Sequence, residues 1–162
     1  MHSNHHLKLC IYTITTINLT RLPYLRPVRW CNPRDPHVVA RAHALGAYEL
    51  SDREYAEAAY WWMTAYWWMK TNMWWEMDGW YDAGETLRRG KGTCNHLNNA
   101  YVALCRCAGI KAQILNFNVQ FGDTAQEVLT PDPILSSFMN NSGGVIPETE
   151  AEVLIDGAWT PA

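Results

Sequence analysis

Between residues 94 and 109 the apolar positions follow a helical period. Leu97, Tyr101, Leu104, Cys105 and Ala108 fall on one face, Thr93 ahead of them is a capping residue, and Gly109 is placed to end the helix in a left-handed conformation. Earlier in the chain, Pro36 suits a first helical position, so a short helix is expected over His37–Leu45. Ser51-Asp52-Arg53-Glu54 reads as a capping box opening a long helix to about Met73. Within it Ala59-Tyr60-Trp61-Trp62-Met63 recurs as Ala65-Tyr66-Trp67-Trp68-Met69, a local duplication with no helical period of its own. Asp78-Gly79 breaks the pattern, and Glu85–Arg89 has room for one more turn.

After Gly109 the period becomes two. Gln113, Asn116 and Asn118 alternate imperfectly with Leu115, Phe117, Val119 and Phe121, the pattern of a half-buried strand ended by Gly122-Asp123. Thr130-Pro131-Asp132-Pro133 and Asn140-Asn141-Ser142-Gly143-Gly144 are loop signals. Glu150–Ile155 reads as a second strand, Asp156-Gly157 as a hairpin turn, and Ala158 as the start of a third. A helix packed on an antiparallel sheet, with helices N-terminal to it, is an α+β arrangement.

Asn32-Pro33-Arg34-Asp35-Pro36 is a turn cluster and the expected domain boundary. It divides an N-terminal extension, residues 1–34, from a domain over 35–162. The extension is expected to have little order, although Leu9–Ile17 is β-branched enough for one strand. It carries Lys8, Arg21, Arg26, Arg29 and Arg34 and no acid, within a chain of net charge −3. That balance argues against a nucleic-acid binder.

Nine tryptophans, concentrated between Trp61 and Trp80, imply a central helix with Trp61 and Trp68 buried, or else an aromatic interaction surface. No stretch reaches the roughly 18 apolar residues of a membrane span. Five cysteines, an odd number without metal-like pairing, imply reduced thiols and a cytoplasmic location. His2, His5 and His6 form a short tract read as solvated, so no metal and no cofactor is expected.

Gly90-Lys91-Gly92-Thr93-Cys94-Asn95-His96 carries the candidate chemistry. A thiol in the first helical turn meets free backbone amides and the positive end of the helix dipole, which favour the thiolate a nucleophile needs. The competing reading of Cys94 is a small buried hydrophobe. His96 lies two residues further on, about 200° around a helix, and reads as a surface or cap-proximal residue rather than a partner for the thiol.

The run Glu85-Thr86-Leu87-Arg88-Arg89-Gly90-Lys91-Gly92-Thr93-Cys94, with Ala103–Ala112 after it, resembles the transglutaminase-like superfamily, where a T-L-x-x-G-x-G-x-C turn leads into the nucleophile's helix. Glu152-Val153-Leu154-Ile155-Asp156-Gly157-Ala158-Trp159 is similar to the middle of a second block of that family, H-x-x-x-E-V-x-x-D-G-x-W. The resemblance implies a papain-like fold and a cysteine amidase, peptidase or amine acyltransferase acting on a peptide or protein amide through an acyl-enzyme on Cys94. It also aligns Glu148 with the family's catalytic histidine. No histidine follows His96, and the family's acidic third member falls just past Ala162. A carboxylate titrates near 4.3 and a thiol near 8.5, so a glutamate is a poor base for cysteine. The expectation is an impaired enzyme, with a non-catalytic domain binding a peptide or protein in the former cleft as the alternative.

Overall fold

The computed structural model describes residues 24–67, 82–120 and 140–162, together with Ser137. Among these residues four helices, α1 (Pro36–Ala44), α2 (Asp52–Trp67), α3 (Ala83–Arg89) and α4 (Cys94–Cys107), precede three strands, β1 (Ala112–Gln120), β2 (Val145–Ile155) and β3 (Ala158–Pro161). The strands form one antiparallel sheet in the order β1-β2-β3. The fold is α+β.

The helices begin where side chains satisfy their free amides. Asp35 Oδ1 accepts from the His37 amide at 2.8 Å, starting α1. At α2 the Ser51 amide donates to Glu54 Oε2 at 3.0 Å and the Glu54 amide donates back to Ser51 Oγ at 3.4 Å, the reciprocal pair the sequence predicts. Asp82 caps α3 by accepting from the Glu85 amide at 2.9 Å. The Asp156-Gly157 turn, with φ of 52° and 82°, joins β2 to β3 as the tight hairpin its residues favour.

α4 is the central element. Every residue from Ala100 to Arg106 is buried, and α1, α2, α3, β1 and β2 all pack against it. Tyr55 reaches it from α2, donating its hydroxyl to the Leu104 carbonyl at 3.2 Å. From the sheet it meets Ala112, Ala151, Val153 and Ile155, all buried.

The expectation of a central tryptophan helix is corrected. Trp61 is 66% exposed, and the buried face of α2 is Tyr55, Ala56, Ala59 and Met63. The short side chains at Ala56 and Ala59 let α2 lie close to its neighbours, and the Trp61 indole takes the solvent side. Trp62 is half-buried, with the Arg41 guanidinium 4.2 Å above its ring. Trp68, the helix beyond Trp67, the expected strand at Leu9–Ile17, the His2–His6 tract, and the signals at Gly122-Asp123 and Thr130–Pro133 lie outside the described residues.

β1 also departs from its alternation. Its buried positions are Ala112 and, in part, Ile114, paired with Val153 and Ala151, whereas Leu115 and Phe117 are exposed. The face packed on α4 is fixed by register, and the larger apolar side chains fall on the other one. Residues 24–34, assigned by sequence to the extension, pack onto the domain. Leu25 and Cys31 are buried, the Ala112 amide donates to the Tyr24 carbonyl at 3.3 Å, and the Tyr24 ring meets Trp159 edge-on at 5.0 Å.

Candidate active site

Three residues aim the start of α4. Gly90, with φ 67°, closes α3 in the left-handed region and turns the chain back. Gly92 lets the chain pass His96: a Cβ there would lie 2.5 Å from the His96 Cβ. Thr93 is the extended N-cap, at φ −80° and ψ 177°. His96 itself is 7% exposed, and its Nδ1 accepts from the Thr93 amide at 3.0 Å and lies 2.9 Å from Thr93 Oγ1. With Nδ1 as acceptor, the ring proton of the neutral imidazole sits on Nε2. His96 is thus a buried cap, which excludes its reading as a surface residue and agrees with the cap-proximal one.

Cys94 is the first residue of α4 and is half-buried. Its thiol faces β2 at Glu148 and Thr149, on the same strand as the expected Glu152–Ile155 but nearer its N-terminal end. Burial raises its pKa above the ordinary value, and a hydrogen bond to the Glu148 carboxylate and the charge of that carboxylate raise it further. A hydrogen bond from the Asn95 amide and another from the Thr149 hydroxyl act the other way and are outweighed. The physical reason is direct: a carboxylate accepts from S–H and repels S⁻, whereas an amide or hydroxyl donor stabilises S⁻.

Thr149 is held by the helix. Asn98 Nδ2 donates to the Thr149 carbonyl at 2.7 Å and to its Oγ1 at 2.9 Å. Because Oγ1 accepts from Asn98, its own proton is free to point at the Cys94 sulfur. Asn98 lies four residues after Cys94, on the same helical face. That spacing was the available signal for it, and the sequence reading did not use it. Nothing in the residue pattern singled out Thr149 or Asn95.

Glu148 pairs across the sheet with the exposed Phe117 of β1. β3 pairs only with Glu152–Ile155, so the β2 edge beside Glu148 has no β3 partner. Asn95, Asn116, Phe117, Asn118, Glu148 and Thr149 line a recess of about 180 Å³ there. Three of them, Asn95, Asn116 and Thr149, also line a larger cavity of about 550 Å³ on the side of Arg26 and Arg106. The sequence does not reveal this cavity, because part of its wall, Tyr24, Arg26, Val28, Trp30 and Cys31, comes from the stretch expected to lie outside the domain. The structure therefore brings Cys94 and Glu148 together and leaves His96 in a different role. Among the described residues, no three His, Cys, Asp or Glu side chains group as a metal site. No described helix is long and apolar enough to cross a membrane.

A cysteine at the head of a buried helix, facing the central strand of an antiparallel sheet, defines an α+β protein built like the cysteine hydrolases and acyltransferases. The profile of the transglutaminase-like superfamily matches residues 40–162, and the chain belongs to that superfamily. Among solved structures it is similar to the "putative cysteine protease" of Cytophaga hutchinsonii, with a TM-score of 0.60 and 18% identity over 86% of this chain. The match spans 39% of that protein, and at this identity it speaks for the fold alone. No curated protein sequence matches.

Proposed function

We propose that this domain binds a peptide or protein segment in the groove beside Cys94 and that Cys94 is at most a slow nucleophile. The observation that carries this reading is the Glu148 carboxylate set against the half-buried Cys94 thiol, whose pKa is raised first by burial and then by that carboxylate. Acyl transfer needs the sulfur to attack an amide carbon as the C–N bond breaks and the amine leaves with a proton. One group must take the thiol proton and return it to nitrogen. A carboxylate beside the sulfur opposes the first step, and an ordinary carboxyl is too acidic to be matched to the thiol.

A second reading, the cysteine amidase or amine acyltransferase of the superfamily with Cys94 and Glu148 as its catalytic pair, has its own support. The helix start, the Asn95 amide and the Thr149 hydroxyl are all donors suited to a thiolate. For either reading, the unpaired thiols at Cys31, Cys94, Cys105 and Cys107 fit a reducing compartment such as the cytoplasm.

Peptide-resolved iodoacetamide labelling of Cys94 across pH 6 to 10 separates the two. The parent should label slowly near neutral pH, with its rate still rising above pH 9, and Glu148→His should accelerate labelling near pH 7. A parent that labels rapidly at pH 6, unchanged by Glu148→His, would overturn the proposal.

A further inference from the structure

The larger cavity, of about 550 Å³, has the volume of a small-ligand site. Its wall joins apolar and aromatic side chains, Val28, Trp30 and Ile114 among them, to a polar and cationic part. Arg26 and Arg106 line it together with Asn95, Asn99 and Asn116, and no carboxylate of the described residues does.

Arg106 is the unusual member. It is 8% exposed, yet neither it nor Arg26 makes an ion pair among the described residues. Its Nε and one terminal nitrogen donate to the Ala112 carbonyl at 3.1 and 2.9 Å, and the other terminal nitrogen donates to the Arg26 carbonyl at 3.2 Å. A guanidinium has five N–H groups, so two remain beyond these three bonds. Carbonyl oxygens satisfy hydrogen bonds but carry no opposite charge, and among the described residues none offsets this cation, whose burial is then costly. Burial and the nearby Arg26 charge both act against the Arg106 cation.

Cys31 does not supply the missing negative charge. Burial pushes its thiol up to about 11, so it is protonated at neutral pH. It donates to Asn99 Oδ1 at 2.9 Å. That bond fixes the orientation of the Asn99 amide, because a protonated thiol needs an acceptor. The Asn99 NH₂ group is left as a further donor at the cavity wall. Arginine forks and amide N–H groups together match the geometry and charge of a carboxylate.

We infer that this cavity is a carboxylate-binding site, in which Arg26, Arg106 and the Asn99 amide hold the carboxylate of a peptide. The shared walls Asn95, Asn116 and Thr149 lead such a peptide from the carboxylate toward the recess beside Cys94. The inference goes beyond the groove-binding proposal and does not require Cys94 to react. Its test reads binding alone, so it fails or stands independently of thiol reactivity.

The carboxylate can come from a peptide C-terminus or from an acidic side chain, and three probes distinguish them: N-acetyl-trialanine with a free carboxylate, the same peptide as its C-terminal amide, and amidated N-acetyl-Ala-Glu-Ala. Binding to the full chain is followed by NMR through the Arg106 Nε–H and Asn99 side-chain amide signals. At least one carboxylate-bearing peptide should bind ten-fold or more tightly than amidated trialanine and shift both signals. Preference between the two carboxylate peptides then names the source. Arg26→Gln removes an exposed side chain and so spares the fold, and it should weaken that binding several-fold. Equal affinity for the carboxylate and amidated trialanine forms, no binding of either carboxylate peptide at 10 mM, or unchanged affinity in Arg26→Gln would each overturn the assignment.

Discussion

Asn98 ties the cysteine helix to the strand it faces, and its removal should be felt twice. Asn98→Ala deletes the bonds to the Thr149 carbonyl and hydroxyl, at 2.7 and 2.9 Å. A hydrogen bond contributes about 0.5–1.5 kcal/mol net, so two give about 1–3 kcal/mol. Asn98 is half-buried, and water can replace part of what is lost, which favours the lower half of that range. For a chain of this length each kcal/mol shifts Tm by roughly 2–4 °C, so a fall of about 2–8 °C is expected in thermal unfolding. The second effect is on the thiol. Without the Asn98 donor the Thr149 hydroxyl is free to turn away from Cys94, and the sulfur loses a donor that favours the thiolate. Labelling of Cys94 at pH 8 should therefore slow. Thr149→Val separates the two contributions, since it keeps the carbonyl bond and removes the hydroxyl. In that background Asn98→Ala should destabilise less, by about 0.5–1 kcal/mol of coupling. A Tm within 1 °C of the parent, with a superimposable labelling profile, would refute the assigned role.

Two further outcomes are expected. Leu104 is fully buried in the centre of the fold, so Leu104→Ala should cost about 2–5 kcal/mol in urea unfolding, whereas Trp61→Ala, at a site 66% exposed, should stay within about 0.5 kcal/mol. Burial raises the Cys105 thiol from 9.0 to about 12 and the Cys31 thiol from 9.0 to about 11, so folding favours their protonated forms. The stability each contributes is complete below pH 9 and is lost as pH rises toward those values, at about 1.4 kcal/mol per pH unit per thiol. Cys105→Ala should flatten the decline of the urea midpoint between pH 9 and 10.5, and an unchanged slope would contradict it.

The local rules were legible where a single residue type decides a local geometry. Pro36, the Ser51–Glu54 box, Thr93, Gly109 and the Asp156-Gly157 turn mark elements that the structure places within a few residues of expectation. What sequence could not give was which of two apolar sets is inside. On α2 both the tryptophans and the alanines are apolar, and only the nearness of α4 decides that Ala56 and Ala59 go inward. On β1 the period of two was present, but register with β2 chose the smaller set for the core. The carboxylate-lined recess was legible through the alignment of Glu148 with a histidine position. The cationic cavity was not, because it joins residues 24–31 to Arg106 across the whole domain.

Cys94 apart, each conspicuous residue of Gly90–His96 has a structural reason to be there that does not involve catalysis. Gly90 supplies a left-handed C-cap, Gly92 makes room for the His96 Cβ, Thr93 caps α4, and His96 closes the cap through Nδ1. α4 is the element around which the core is built, so a chain that had lost all activity would still need this turn to start it correctly. The turn is therefore strong evidence for the fold and weak evidence for chemistry. The residue that discriminates lies across from the turn, on β2. Glu148 lies outside the core, beside the length of β2 that lacks a β3 partner, and its carboxylate raises the pKa of the Cys94 thiol rather than lowering it. A histidine there would reverse the sign of that interaction without altering the turn, the helix or the sheet, which is why position 148, and not the glycine–cysteine motif, is where activity in this chain is to be sought.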